Sequence, residues 1–292
     1  MKENHQEIKL CIAFTLYNPE NRNLNKFIEI AQENDFVYIY DNSPSISFDF
    51  NELKKVPENL VYMSNGYNDG MSKALNQSCN FALSKNCTHI LFLDQDSMFT
   101  NKEIKELLNH AIDYEIAIRG SIDRVAIYAP NIICEYVDEA KYLEKLNYEE
   151  REWLVTSGSL LDLNVFKEIG EFDENLFIDY VDTDYCIRLR KSGYKLIQFA
   201  RPIMMHSLGI TKDTLGYSFY EHSPIRNYYI FRNKLYILTK YFSMKRLFIT
   251  FLSSFKQLLK IILLESEKLE KIQFILLAIK DFKNNKMKGF SE

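Results

Sequence analysis

HILFLDQDS, residues 89–97, is the stretch that decides the fold. Its first five residues are mostly apolar and suit one buried strand, and the acidic DQDS follows at once. Asp94 and Asp96 therefore stand where a buried strand passes into a loop, which is where open α/β sheets bind their ligands. The alternative is an Asx turn with two solvated carboxylates, and the D-x-D string by itself does not decide between the two.

Apolar runs of the same kind lie on both sides of this segment. The runs IKLCIAF (8–14), FVYIY (36–40) and LVYM (60–63) each end in a polar turn, and apolar residues at helical spacing separate the first two. Strands that alternate with helices predict a mostly parallel α/β sheet flanked by helices. Further short strands are expected at 125–133, 195–199 and 202–206.

Composition excludes several classes of protein. The 292 residues, 47% of them hydrophobic, are enough for one α/β core with an appendage. Five scattered cysteines without a CxxC pair indicate a reducing compartment and argue against a zinc site. The first ten residues lack the apolar core of a signal peptide, and no apolar run is long enough to span a membrane, so we expect a cytoplasmic protein. A net charge of −4 argues against binding to nucleic acids.

The C-terminal part of the chain differs from the rest in charge and pattern. Residues 240–292 carry a net charge of +6 and leave −10 for the remainder. Apolar residues recur at helical spacing through 247–262 and 269–279. We therefore divide the chain into a catalytic domain at 1–235 and an amphipathic helical extension at 236–292. The extension can lie on an anionic membrane surface, or its helices can pack on the catalytic domain or on a second subunit in a homodimer.

A second group of acids lies in FIDYVDTDYC, residues 177–186. Asp179, Asp182 and Asp184 alternate with apolar residues, where carboxylates are costly unless they bind, pair or share protons. One such carboxylate within reach of an acceptor hydroxyl can act as the general base of a direct displacement. We expect Asp182 to be this base, with Asp179 as its rival. The alternative is that these acids, Asp184 above all, cap a helix or pair with Arg188.

Polar turns follow the first three predicted strands, and in a parallel sheet such turns share one edge. Asp41 can accept a hydrogen bond from the N3–H of a pyrimidine base. The Gly/Asn-rich loop at 65–70 and the helix after it suit a diphosphate, although such loops are often plain turns. The candidates for nucleotide-sugar binding at this edge are Thr15, Tyr17, Asn18, Asp41, Asn42, Asn65, Gly66, Asn68 and Gly70.

A divalent cation fits the D-x-D pair. Mg²⁺ or Mn²⁺ held by Asp94 and Asp96 would bridge the diphosphate of a donor and neutralise charge on the leaving group. His206 follows the apolar run PIMM, and a neutral imidazole suits Mn²⁺ as a further ligand. A lone histidine at a strand end is more often structural. The predicted metal ligands are thus Asp94, Asp96 and His206.

In this order the motifs resemble those of the family 2 glycosyltransferases of the GT-A fold, and within them the bacterial rhamnosyltransferases. The resemblance covers residues 8–235, and Val181 stands where the family usually has an acid, which leaves Asp182 as the base. It rests on FTLYNP (14–19), YDNSPS (40–45), NGYNDGMSKALNQS (65–78), LFLDQDS (91–97), VTSGSLLD (155–162) and VDTDYCIRLRKSGY (181–194), with FIDYVDTDYC, HSLG (206–209) and SPIRNYYIFRN (223–233) for the rhamnosyltransferase character.

The resemblance implies an inverting, metal-dependent transfer of L-rhamnose from dTDP-β-L-rhamnose, without a covalent enzyme intermediate. The acceptor would be a lipid-linked or polysaccharide glycan of the bacterial surface, made at the inner face of the cell membrane by a peripherally attached enzyme. The implied roles are Asp94 near the donor sugar or ribose, Asp96 on the metal, Ser157, Gly158 and Asp184 in the acceptor or sugar site, and Arg226 and Arg232 facing phosphates.

Three alternatives remain at this stage. The same fold can use a UDP-hexose donor. A nucleotidyltransferase shares a nucleotide site and paired acids, but it usually has a Gly-rich basic loop after its first strand, and TLYNPE (15–20) is not such a loop. A sugar-binding or scaffold protein without activity would leave the acids at 94, 96 and 182 without a catalytic role.

Overall fold

The computed structural model describes residues 8–19, 24–45, 56–134, 147–206, 211–214, 217–242, 254 and 256–290. The strands in these ranges are β1 (Leu10–Leu16), β2 (Phe36–Asp41), β3 (Leu60–Ser64), β4 (His89–Asp94), β5 (Arg124–Cys134), β6 (Tyr148–Glu150), β7 (Leu160–Asp162), β8 (Tyr194–His206), β9 (Thr211–Thr214) and β10 (Tyr217–Tyr220). The helices are α1 (Leu24–Glu33), α2 (Met71–Ser84), α3 (Asn101–Ala117), α4 (Leu163–Ile169), α5 (Val181–Lys191), α6 (Pro224–Tyr241) and α7 (Lys268–Lys283), and residues 256–264 form a further helical segment.

One sheet of eight strands organises the described part of the chain, in the order β3-β2-β1-β4-β7-β5-β8-β6. The strands β1 to β4 pair only in parallel with one another, whereas β7 runs antiparallel to both β4 and β5. Helices cover both faces, which is why the parallel strands are apolar on both sides. The predicted α/β sheet flanked by helices is therefore confirmed.

Side chains alternate between two cores across the sheet. Tyr38 and Tyr40 of β2 face the core that α2, α4 and α5 cover, and Val37 and Ile39 face the core that α1 and α3 cover. This alternation is the two-residue period of a strand. It leaves the carboxyl ends of the strands, rather than either face, as the place where polar groups reach solvent.

β8 differs from the prediction of two strands at 195–199 and 202–206. It is one strand of 13 residues whose pairing with β5 shifts register between Ala129 and Asn131. Pro130 lies at the shift and Pro202 lies in β8, and proline lacks the N–H that a regular ladder needs. The strand thus continues past the proline, where the sequence pattern predicted the end of a strand.

The predicted domain boundary between residues 235 and 236 falls inside α6, which continues to Tyr241. The last helix, α7, packs against α6 because Ile275 and Ala278 are buried in one apolar cluster with Tyr228 and Tyr229. Much of the predicted stripe at 247–262 lies outside the described residues. Among the helices that the structure describes, none is long and apolar enough to cross a membrane.

A buried ion-pair network also fastens the C-terminal helices. The ammonium of Lys271 is fully buried and lies 2.6 Å from a carboxylate oxygen of Glu221 and 2.9 Å from one of Glu265. Burial lowers the pKa of Lys271, but the hydrogen bonds and charges of the two glutamates outweigh it, so the pKa is raised. The network joins Glu221, three residues before the start of α6, to α7, and the extension is thereby partly integrated into the catalytic body.

Candidate active site

The carboxyl ends of β1 to β4 bring the predicted turns into one row. Thr15 lies opposite Asp94 in the register of β1 with β4, and Asp41 lies opposite Ser64 in that of β2 with β3. The turns are also bonded to each other, because the amide of Tyr17 donates to Oε1 of Gln95 at 2.9 Å. The first and fourth strands therefore present their polar ends at a single edge.

The D-x-D turn is bonded to the T-S-G-S segment. The amide of Asp94 donates to Oγ of Ser97 at 3.0 Å and to Oγ of Ser157 at 3.2 Å, and the two hydroxyls are 2.7 Å apart. The amide of Gly158 donates to the carbonyl of Phe92 at 2.7 Å. Ser157 and Gly158 therefore lie beside the D-x-D turn, and their place in the acceptor or sugar site stays a prediction.

Asp41 has partners inside the protein. It is fully buried, its Oδ1 accepts from the amide of Ser43 at 3.0 Å, and its Oδ2 accepts from the hydroxyl of Tyr62 at 2.5 Å. A pyrimidine N3–H would have to share Oδ2 with Tyr62 or displace it. Contact with the base therefore stays a prediction, and Tyr62 is a residue that the sequence analysis did not single out.

Hydrogen bonds within the loop at 65–70, and between this loop and the turn after β2, fix its conformation. Nδ2 of Asn65 donates to Oδ2 of Asp69 at 2.7 Å, and the amide of Asp69 donates to Oδ1 of Asn42 at 2.7 Å. The amide of Asn18 in the first turn donates to Oγ of Ser43 at 2.7 Å, and that of Gly70 donates to Oδ1 of Asn68 at 2.9 Å. The predicted loops are thus joined into one rigid edge.

Phe177 connects this edge to the second group of acids. Its carbonyl accepts from the amide of Met71 at 2.6 Å, and Oγ of Ser72 donates to the carbonyl of Leu176 at 2.6 Å. A Cβ on Gly70 would come within 2.6 Å of the Phe177 ring. The loop that carries the acids therefore sits directly on the N-terminus of α2, which the sequence analysis assigned to the diphosphate.

Asp179 and Tyr180 have left-handed backbone conformations, with φ of +61° and +65°. Such conformations cost about 1–3 kcal/mol each and occur at functional sites. Nη2 of Arg226 donates to Oδ1 of Asp179 at 3.2 Å, whereas Oδ2 of Asp179 is buried without a hydrogen-bond partner in the described part of the chain. Nδ2 of Asn233 donates to the Asp179 carbonyl at 3.2 Å. The acid loop is thus held in a strained shape.

Asp182 lies in the first turn of α5, with its Oδ1 accepting from the amide of Thr183 at 2.7 Å. Burial raises the pKa of Asp182 to about 6, and the charge of Asp179 adds to it, whereas hydrogen bonds from Thr183 and the Trp153 side chain oppose the rise. A carboxylate with a pKa near 6 is still ionised at neutral pH but accepts a proton more readily than an ordinary one. These are the properties of a general base.

Trp153 was not predicted, although it is the only tryptophan of the chain and precedes Ser157 of the T-S-G-S segment by four residues. Four residues span at most about 14 Å of extended backbone, so the Asp182 and Asp94 ends of this segment are near each other. The carbonyl of Leu154 also accepts from Sγ of Cys186 at 3.6 Å, which holds the segment to α5. The segment at 153–158 thus links the two groups of acids.

Two predicted site residues have structural partners instead. Asp184 is fully buried and accepts from Nε of Arg188 at 2.9 Å, from Nζ of Lys240 at 2.9 Å and from the hydroxyl of Tyr241 at 2.6 Å. Its oxygens join α5 to α6 and are not available to an acceptor sugar, because water and ligands cannot reach them.

Arg232 is the other correction. Its guanidinium is fully buried over the rings of Tyr228 and Tyr229, with Nε donating to Oδ1 of Asn233 at 3.1 Å. It lies one helical turn and more beyond Arg226 on α6, and its side chain points into the cluster between α6 and α7. Arg232 therefore does not face a phosphate, and Arg226, which is half exposed, is the arginine at the site.

The side chains of two of the three predicted metal ligands lie within the described residues. Asp94 and Asp96 flank Gln95 at the end of β4, and Asp96 is exposed. The side chain of His206 lies outside the described residues. Among the side chains that the structure describes, no group of three or more His, Cys, Asp or Glu is arranged around one point. Burial lowers the pKa of the Lys26 ammonium, and the charge of Asp96 acts on the same ammonium and raises its pKa by less. One cation of the protein therefore already lies near the D-x-D pair.

Comparison with known proteins identifies the family. No family model matches the chain. The chain is 33% identical over 237 residues to the dTDP-rhamnosyl transferase RfbF of Shigella flexneri, covering 77% of this chain and 78% of that protein. It is 23% identical over 240 residues to the low-salt glycan biosynthesis hexosyltransferase Agl10 of Haloferax volcanii, covering 78% and 76%.

Solved structures support the fold. GalNAc-T7, crystallised with UDP, GalNAc and Mn²⁺, superposes with a TM-score of 0.55 at 13% identity. The superposition covers 81% of this chain and 48% of the GalNAc-T7 chain. The 1–349 part of S. aureus TarS in complex with UDP-GlcNAc gives 0.51 at 13% identity, covering 94% of this chain and 73% of that one. The fold and the close relative agree with the motifs around β4 and α5, and the chain belongs to the family 2 glycosyltransferases of the GT-A fold.

Proposed function

We propose that this glycosyltransferase moves L-rhamnose from dTDP-β-L-rhamnose to a hydroxyl of a lipid-linked or polysaccharide acceptor, with inversion at the anomeric carbon. The observation that carries the proposal is the half-buried carboxylate of Asp182 at the start of α5, whose pKa burial raises to about 6. Similarity to a dTDP-rhamnosyl transferase over three quarters of the chain supports the donor. The name of the relative Agl10 refers to glycan biosynthesis, and we propose that this enzyme acts in the synthesis of a surface glycan.

The reaction would be a single displacement. Asp182 accepts the proton of the acceptor hydroxyl while that oxygen forms a bond to the anomeric carbon, and the bond from this carbon to the diphosphate breaks on the opposite side. The diphosphate leaves with the electron pair of the broken bond. Arg226, held by Asp179, is an exposed cation beside the acid loop. It would stabilise the negative charge that develops on the departing diphosphate. One displacement inverts the anomeric configuration and needs no covalent intermediate.

A divalent cation suits the residues present. Mg²⁺ takes one or two protein carboxylates and fills its other positions with substrate phosphates and water, so Asp94 and Asp96 are a sufficient donor set. When bound, Mg²⁺ or Mn²⁺ would neutralise charge on the departing diphosphate. The GalNAc-T7 structure, which contains Mn²⁺ and UDP, supports this proposal.

Thermal shift with nucleotides tests the donor. We expect dTDP with Mn²⁺ to raise the Tm more than UDP, GDP or CDP, because a ligand that binds only the native state stabilises it in proportion to RT ln(1 + [L]/Kd). At a concentration about 100 times the Kd this amounts to ~2.7 kcal/mol. Asp96→Asn should remove the part of the shift that depends on Mn²⁺, whereas Asp113→Asn, an exposed acid on α3, should keep it.

The other outcomes of this titration are equally informative. A larger shift with UDP would replace the donor by a UDP-hexose, which the two UDP-bearing structural relatives favour. The absence of any shift with all four nucleotides would contradict a nucleotide-sugar donor. A shift of equal size with and without Mn²⁺ would contradict the metal site at Asp94 and Asp96.

The C-terminal extension supports a peripheral membrane location. Leu269 and Leu276 of α7 are 79% and 62% exposed, although Ile275 between them is buried against α6. Leu263 is also exposed, and the exposed Lys268 and Lys280 lie near these leucines in the sequence, as do the exposed Glu267 and Glu270. Exposed leucines beside cations are typical of helices that lie on anionic lipid. We therefore propose that this face rests on the inner leaflet, where a lipid-linked acceptor would be found.

Vesicle sedimentation tests this location. We expect the protein to bind vesicles that contain phosphatidylglycerol about tenfold better than pure phosphatidylcholine vesicles, and the double variant Leu269→Ser/Leu276→Ser to lose most of that binding. Ile122→Ser, which removes an apolar side chain that is 97% exposed elsewhere, should bind as the wild type does. Equal binding by the tail variant, or a wild-type dimer that this variant dissociates in solution, would contradict a membrane role for the face.

A further inference from the structure

A groove of about 610 Å³ runs along α5 beside the proposed base. Four residues of α5 line it at the spacing of one helix face, and the segment before T-S-G-S and the residue after α6 complete it. None of these residues was assigned to the nucleotide edge. The lining residues are Glu152, Trp153, Thr183, Ile187, Arg190, Lys191 and Phe242.

One end of the groove is lined by residues next to the base. Trp153 lines this end, and its side chain also forms the hydrogen bond to Asp182 that opposes the rise in pKa. Trp153 is 47% exposed, which is a large fraction for an aromatic side chain of this size, and it lines the groove. Thr183, the neighbour of Asp182, lines the same end. A sugar ring packed on the indole would have its hydroxyls close to the carboxylate.

The other end of the groove is cationic. Arg190 and Lys191 follow Asp182 by eight and nine residues, which at 1.5 Å per residue is about 12–14 Å along the helix. Their partners hold them only loosely: Nη2 of Arg190 lies 3.3 Å from Oε1 of the highly exposed Glu152, and Nζ of Lys191 lies 4.7 Å from the centre of the Tyr241 ring. Exposed pairs of this kind contribute little free energy, so an anion can compete for both cations.

We propose that this groove is the acceptor subsite and that it takes a glycan that carries a phosphate group. The acceptor sugar packs on Trp153 with its reactive hydroxyl at Asp182, and the phosphate binds Arg190 and Lys191. The proposal rests on the proposed function, since it takes Asp182 as the base. The phosphate of a glycosyl diphosphate lipid and that of a phosphate-containing polymer have the same chemistry at this site.

Tryptophan fluorescence reports on this groove alone, because Trp153 is the only tryptophan. The probes are the 1-phosphates of glucose, galactose and N-acetylglucosamine, each compared with the corresponding methyl glycoside. Saturating dTDP and Mn²⁺ block the donor edge during the titration. We expect at least one sugar phosphate to change the fluorescence with a Kd about tenfold or more below that of its methyl glycoside, since a charge-assisted contact strengthens binding.

Variants separate the groove from general effects of charge. Arg190→Gln/Lys191→Gln should bring the sugar phosphate and the methyl glycoside within about twofold of each other, whereas Lys102→Gln/Lys167→Gln, two exposed cations elsewhere, should leave the difference unchanged. A polyprenyl diphosphate in micelles or a glycerol-phosphate oligomer that competes with the sugar phosphate then identifies the source of the phosphate.

The outcomes distinguish this proposal from the function on which it rests. Equal affinities for phosphate and methyl glycoside, or no response to any sugar phosphate, would overturn the acceptor subsite if dTDP still raises the Tm of the same preparation. Loss of the dTDP shift would instead contradict dTDP-rhamnose as the donor. A response that survives the double variant at 190 and 191 would also overturn the assignment of the phosphate to these residues.

Discussion

Asp182→Asn is expected to lower kcat for rhamnosyl transfer by about 10²–10⁴-fold, the usual contribution of a general base. The amide has nearly the same shape as the carboxylate and can still accept from Thr183, but it does not take the proton of the acceptor hydroxyl. Release of dTDP from the donor in the presence of acceptor measures the change. Binding of dTDP in the thermal shift assay should be unaffected, because the nucleotide edge at β1 to β4 is intact.

The pH dependence provides a second measure of the same residue. Since the pKa of Asp182 is about 6, kcat/KM should rise with pH through 6 and then level off. The raised pKa also has a cost for stability. Between the ordinary pKa of 3.8 and about 6 the folded state holds more protons than the unfolded state, so this carboxyl contributes less stability as pH rises. The full shift amounts to ~3 kcal/mol at most.

Asp182→Asn should therefore be at least as stable as the wild type at pH 8 while it is inactive. Asp184→Asn is the matched contrast, because it breaks a buried network with Arg188 and Lys240. Its loss of stability should be about 3 kcal/mol or more, with kcat per folded molecule retained. An active Asp182→Asn enzyme would contradict the role of Asp182 as the base. A variant that unfolds more readily than the wild type at pH 8 would contradict the raised pKa of Asp182.

Gly70→Ala is expected to lower both stability and activity strongly. The new Cβ would lie 2.6 Å from the ring of Phe177 and 2.7 Å from its carbonyl oxygen, and φ of +87° with ψ of 164° is a conformation that only glycine adopts easily. Strain and overpacking together should cost about 2–4 kcal/mol of unfolding free energy. Urea unfolding measures this loss.

The loss of activity from Gly70→Ala has a different origin. Phe177 must move to relieve the contact, and the acid loop that leads to Asp182 moves with it, so kcat/KM should fall by about 10²-fold. Gly120→Ala, in the turn after α3, is the control, because its φ is also positive, +84°, but nothing lies within 4 Å of the added Cβ. It should cost only ~1–2 kcal/mol and little activity. Equal losses in the two variants would show that the contact with Phe177 does not position the acid loop.

The sequence predicts the sheet edge well, because strands β1 to β4 are local apolar runs and each ends in polar residues. Thr15, Asn42, Asn65 and Asp94 follow from that local pattern and from the topology of a parallel sheet, whose carboxyl ends share an edge. The family follows from the order of the same motifs along the chain. Asp182 was predicted to be the base from the family resemblance and from its apolar neighbours, and in the structure burial raises its pKa.

Local patterns could not separate the acids of α5 from one another, because Asp182 and Asp184 differ by two residues and have similar neighbours in sequence. Their partners come from distant segments: Trp153 lies beside one, and Lys240 and Tyr241 bind the other. The same holds for Arg232, which lies on the side of α6 that faces the core, whereas Arg226 lies on the side that faces the acid loop. The sequence alone thus determined the family and the edge of the sheet at which we propose that the donor binds. Only the tertiary structure decided which charged side chains face that edge, because burial and pairing depend on contacts between elements far apart in the chain.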